Sequence, residues 1–122
     1  MTGFVPLELA VLRAIFDETP EFVEQLQQQL AKVIVLEREN TGQGFLTTMS
    51  VSDDLDAIQG PLALGFAVYV KIGGLKQSLG VALLLKKGLL HQLDFYSCVG
   101  ESTNGLNISE VKFELTEAPF GE

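Results

Sequence analysis

The stretch Leu79 to Tyr96, LGVALLLKKGLLHQLDFY, constrains this chain more than any other, because as a hairpin it is apolar on both faces. Successive side chains of a strand point to opposite faces, so a surface hairpin alternates apolar with polar. With Lys87-Gly88 as a two-residue turn, Leu79, Val81, Leu83 and Leu85 fall on one side. Ala82, Leu84, Leu93 and Phe95 fall on the other. Both sides need a cover, and the helices of so short a chain supply one.

The turn also sets an expected register. Lys86 faces Leu89, Leu84 faces His91, Ala82 faces Leu93 and Gly80 faces Phe95, so small residues oppose large ones. On the second face Leu85 meets Leu90, Leu83 meets Gln92, Val81 meets Asp94 and Leu79 meets Tyr96. A one-residue slip would exchange these groupings. The unslipped register assembles Leu79, Val81, Leu83, Gln92, Asp94 and Tyr96 into an apolar floor with polar handles, the composition of an interface or shallow pocket. These six are the candidate binding residues. The competing reading buries the same face under the helices, with Asp94 paired to a helix residue such as Arg13. Which face is covered stays open at this level.

Two helices precede the strands. Pro6 suits a first helical turn, and Leu7 to Phe16 is apolar apart from Glu8 and Arg13. Thr19-Pro20-Glu21 is a restart signal of hydroxyl cap, proline and first-turn acid. Phe22, Val23, Leu26 and Leu30 follow at helical spacing, with Glu24, Gln25, Gln27, Gln28 and Gln29 turned outward. Strands are expected at Val33 to Leu36, Phe45 to Val51, Ala63 to Ile72 and Val111 to Thr116, beside the hairpin. In the third, Leu64, Phe66, Val68, Val70 and Ile72 share a face. Ser52 to Pro61 and Val99 to Asn107 read as loops, and the tail from Ala118 as loose. Helices followed by strands predict one α+β domain over 1–122. Its two N-terminal helices pack on one face of a mostly antiparallel sheet of five or six strands.

Sixteen acidic against eight basic residues give a net charge of −8, which repels phosphate backbones and makes nucleic acid an unsuitable partner. A basic protein surface is steered toward such a chain. The bland use of the same charge is solubility. No apolar run reaches the ~20 residues that cross a bilayer, the start lacks a basic leader, and a single cysteine forms no internal disulfide. Cytoplasm is the expected location.

Catalytic sets are sparse. His91 is the only histidine; Cys98 lies seven residues on, roughly 23 Å along one strand and on the opposite face. His91 and Asp94 fail the same test at about 10 Å, and no G-x-S-x-G elbow occurs. Asp53, Asp54 and Asp56 cluster in a loop but lack the glycine and glutamate of a calcium loop. One histidine and one cysteine make a poor zinc set. No catalytic residue, metal or cofactor is assigned.

The segment Leu83 to Glu101 resembles the closing hairpin of small bacterial domains of unknown function, some of them similar to immunity proteins of contact-dependent toxin systems. The matching ending is leucine, acid, apolar, tyrosine, serine: Leu93, Asp94, Phe95, Tyr96 and Ser97. The resemblance covers 19 of 122 residues, carries over no functional residue, and implies a non-enzymatic binding role. The expectation is a protein-binding module, immunity-like or otherwise. Two alternatives stand beside it. One is a small-molecule-binding domain or enzyme with a pocket between helices and sheet, lined by His91 or Asp94. The other is a homodimer that pairs the spare face with itself.

Overall fold

The computed structural model describes residues 3–52, 54–60, 62–65 and 67–116. The expectations for Asp53, Pro61, Phe66 and the tail from Ala118 lie outside the described residues.

Helix α1 (Pro6–Asp17) follows from the spacing of Leu7, Val11, Leu12, Ile15 and Phe16, which makes one buried stripe. Glu8 lies in that stripe as well, and its carboxylate reaches back to accept from the Val5 N–H at 2.9 Å, capping the helix. A 3-10 turn (Pro20–Phe22) leads into α2 (Val23–Leu30). The expected hydroxyl cap is not made: Thr19 donates backward to the Ile15 carbonyl at 2.6 Å, closing the end of α1 instead.

Among the described residues seven strands form one antiparallel sheet: β1 (Ile34–Asn40), β2 (Gly44–Ser50), β3 (Ala63–Leu64), β4 (Tyr69–Ile72), β5 (Leu79–Lys86), β6 (Leu89–Ser97) and β7 (Phe113–Thr116). Their order is β1-β2-β6-β5-β4-β7, with β3 also paired to β5. The architecture is the α+β one expected. The single strand expected over 63–72 is instead two, split around Gly65 (φ +91°), where α1 approaches so closely that an added Cβ would overlap the Ile15 side chain.

The hairpin departs from its expected register by one bulge. Lys87 (φ 55°) and Gly88 (φ 79°) make the turn, and Lys86↔Leu89 and Leu85↔Leu90 pair as expected. His91 is then left unpaired, so the ladder resumes as Leu84↔Gln92, Leu83↔Leu93, Ala82↔Asp94, Val81↔Phe95 and Gly80↔Tyr96. The unbulged register would turn Leu93 and Phe95 away from Leu79, Val81 and Leu83. The bulge places all five on one face, and each large side chain buried is worth about 1.5–3 kcal/mol. A lost ladder bond costs about 1 kcal/mol, so the bulge wins.

All of these join one core with α1, Leu26 of α2, and Phe45, Met49, Val70 and Ile72 of the flanking strands. Both long loops close the same side: Ile58 of the first and Ile108 of the second are core residues, and Leu106 packs against them. Gln29, expected outward, is fully buried. Its amide donates to the carbonyls of Asp56 (2.9 Å) and Gly88 (3.1 Å), and its oxygen accepts from Leu90 N–H (2.9 Å). The first loop folds over α2 and brings carbonyls that only a side-chain donor can satisfy.

Candidate functional site

Among the described residues the second sheet face has no such cover: the core cluster that joins both helices and both loops is built on the first face. Its residues stand in register rows. One row reads Tyr69, Gly80, Tyr96 across β4, β5 and β6. The next reads Ala82, Asp94, Leu46, Glu39 across β5, β6, β2 and β1, and a third Leu84, Gln92, Thr48, Glu37. Leu46, Leu84, Tyr69 and Tyr96 are half-buried. At the β1 edge Ile34 and Leu36 are 61% and 62% exposed, Leu36 because a second bulge between Val35 and Glu37 leaves it unpaired.

Two local choices shape this face. Gly80 leaves room for the Tyr96 ring, which lies across it where a Cβ would overlap the ring carbons. Burial holds the Tyr96 phenol above its usual range, with Cys98, Tyr69 and Asp94 adding to the rise. It therefore stays a hydrogen-bond donor at neutral pH. Asp94 lies between Leu46 and Ala82, each about 5 Å away across the ladder, with Gln92 and Tyr96 about 7 Å along the strand. Burial pushes its carboxyl up. Among the described residues no hydrogen bond or ion pair to that carboxylate is found.

The six expected binding residues are thus divided. Gln92, Asp94 and Tyr96 share the open face, half-buried. Leu79, Val81 and Leu83 point the other way and are core residues at 0–1% exposure, a correction that follows from the His91 bulge. Their places opposite the polar three are taken by Gly80, Ala82 and Leu84, with Leu46 and Thr48 from β2. The contribution of β2 had no local signal, since which strand flanks β6 is a matter of topology. Asp94 also does not pair with Arg13, which is exposed on α1.

Among the described residues the buried ion pair is a different one. Glu8, with no solvent exposure, accepts from Arg38 Nη2 at 2.8 Å and Nε at 2.9 Å, and from the Thr47 hydroxyl. The bond to Glu8 pushes the Arg38 guanidinium further up. This network ties α1 to β1 and β2, and every oxygen of Glu8 has partners, so its role is architectural.

His91 lines a groove of about 260 Å³ on the open face with Leu36, Thr48, Ser50, Lys86 and Leu89. Cys98 is exposed beyond the far end of β6. Neither His91 nor Asp94 lies between helices and sheet, where the described core is filled by apolar side chains. Among the described residues no group of three His, Cys, Asp or Glu side chains is arranged to hold a metal ion, and no helix is long and apolar enough to cross a membrane. No protein family, curated protein or solved structure matches the chain.

Proposed function

We propose that this α+β domain is a protein-binding module that engages its partner with the open face of the sheet. The observation that carries the reading is the half-buried set Leu46, Leu84, Tyr69 and Tyr96 around polar Gln92 and Asp94, with no second layer over it among the described residues. Aromatic and aliphatic anchors around a few polar groups are the composition of an interface centre. The four long strands, β1, β2, β6 and β5, at about 4.8 Å spacing and about 3.3 Å rise over seven residues give roughly 14 by 23 Å, and the four-residue β4 and β7 extend it on one side. The plane is roughly 450 Å² before side-chain relief is counted, against the ~800 Å² per partner of a standard interface. In the leucine–acid–apolar–tyrosine–serine ending, Asp94 and Tyr96 lie on this face while Leu93 and Phe95 hold the core. That division of labour suits a binding role of the immunity-like kind. The free, exposed Cys98 fits a reducing compartment such as the cytoplasm.

Native mass by light scattering at about 50 and 500 mM salt tests the reading, the two salts separating charge-driven from apolar association. A monomer at both is expected, leaving the face available to another protein. A dimer at both salts that Tyr96→Ala dissociates would assign the face to self-association and overturn the outside-partner reading.

A further inference from the structure

The open face carries an electrostatic gap. Asp94 stands near its middle, its direct neighbours are Leu46 and Ala82, and the described structure brings no cation to it. Lys86 lies four residues along β5 from Ala82, about 13 Å away, and opposes Leu89. Lys71 stands two strands away and opposes Glu114 on β7. On the β1 side the charges are of one sign only. Glu39 shares the Asp94 row, two strands over and about 10 Å away, and Glu37 lies in the next row. The arginine of β1, Arg38, points to the other face and is held by Glu8.

Resting on the protein-binding reading above, we infer that the partner is a protein presenting an arginine that seats on Asp94, with its guanidinium plane against the Tyr96 ring. A guanidinium matches the site in three ways. Its paired N–H groups fit a carboxylate edge-on, and its plane stacks on an aromatic face. Being weakly hydrated, it enters the apolar frame of Leu46 and Ala82 with less loss than an ammonium. The neighbouring Glu37 and Glu39 extend the same negative field, which favours a basic partner surface over a lone arginine. Burial pushes the Asp94 carboxyl up, and a bound guanidinium would oppose that push.

The test is an NMR titration of the full ¹⁵N-labelled chain with the N-acetyl amides of arginine, lysine and norleucine. The expected result is saturable shifts centred on Leu46, Asp94 and Tyr96, strongest for arginine, with Asp94→Asn weakening arginine binding at least about tenfold, which corresponds to ~1.4 kcal/mol. The isosteric Asp94→Asn keeps the fold, and its own spectrum verifies that. Arginine shifts that are unchanged in Asp94→Asn, or that scatter over exposed glutamates, overturn the inference. If norleucine amide still perturbs Leu46 and Tyr96 in that case, the open face remains a binding surface and only its charge preference is wrong. If none of the three probes perturbs the face, the arginine inference falls, and the protein-binding reading is decided by the native-mass measurement above.

Discussion

Removing Arg38 exposes how the Glu8 network is built. Arg38→Met keeps the length of the side chain and its contact with apolar neighbours, but leaves the Glu8 carboxylate with only the Thr47 hydroxyl and the Val5 N–H. Glu8 has no exposed surface, so water cannot replace the guanidinium without opening the α1–sheet seam. Breaking one side of a buried pair costs about 3–5 kcal/mol, and because the Arg38 side chain is 27% exposed the lower end, ~3 kcal/mol, applies. At about 2.1 cal/mol/K per residue over 122 residues, that loss lowers Tm by ~12 °C. The double variant Glu8→Leu/Arg38→Met removes both charges and leaves Thr47 and the Val5 N–H each short of one acceptor. Its expected loss is about 1–2 kcal/mol, smaller than that of the single variant. Urea unfolding followed by circular dichroism, with equal m-values verified, measures both. An Arg38→Met loss below ~1 kcal/mol, typical of a surface pair, would refute the reasoning. So would a double variant no more stable than Arg38→Met.

Three further outcomes are expected. Asp94→Asn raises stability at pH 7, because burial lifts the folded-state carboxyl above its ordinary value and so penalises the ionised form. The advantage shrinks as pH falls through the raised folded value and is gone below the ordinary carboxylate value, where both states are protonated; paired denaturation curves from pH 7 to 3 give the sign. An advantage that grows on acidification would contradict it. Gln29→Met strands the buried Leu90 N–H and releases the loop carbonyl of Asp56, for an expected ~2–3 kcal/mol loss and faster amide exchange across 54–60. Unchanged exchange there would show that the loop does not depend on Gln29. Finally, Gly44→Ala is expected to cost several times more than Gly80→Ala. At Gly44 (φ +150°) a Cβ meets the fixed Phe95 carbonyl, whereas at Gly80 it meets the Tyr96 ring, which can swing away. Thermal melts rank the two, and the Tyr96 ring resonances should move only in Gly80→Ala.

The instability built into Asp94 bears on function. A half-buried carboxylate with no cation beside it among the described residues is a local cost that Asn would relieve. Tyr96, by contrast, is well supported, since Gly80 is shaped to its ring. The open face therefore combines an aromatic ring seated on Gly80 with a half-buried carboxylate.

Local patterning determined much of this protein. The 3.6-residue spacing of Leu7, Val11 and Ile15 made α1, and Lys87-Gly88 made the turn. Such signals are local because they depend on backbone period and turn conformation alone. The expectation that both hairpin faces are apolar and covered did not hold, because the bulge gathers the large apolar side chains on one face. What the tertiary structure decided are features that trade a local rule for a distant contact. The His91 bulge sacrifices a ladder bond so that Leu93 and Phe95 join the leucines of β5, which put Leu79, Val81 and Leu83 in the core and left Asp94 and Tyr96 on the open face. Gln29 went inward because a loop 27 residues away presented carbonyls, and Glu8 because Arg38, 30 residues on, arrived on the neighbouring strand. In each case the balance is set by burial energy that exists only once the layers meet, and no stretch of sequence read alone contains it.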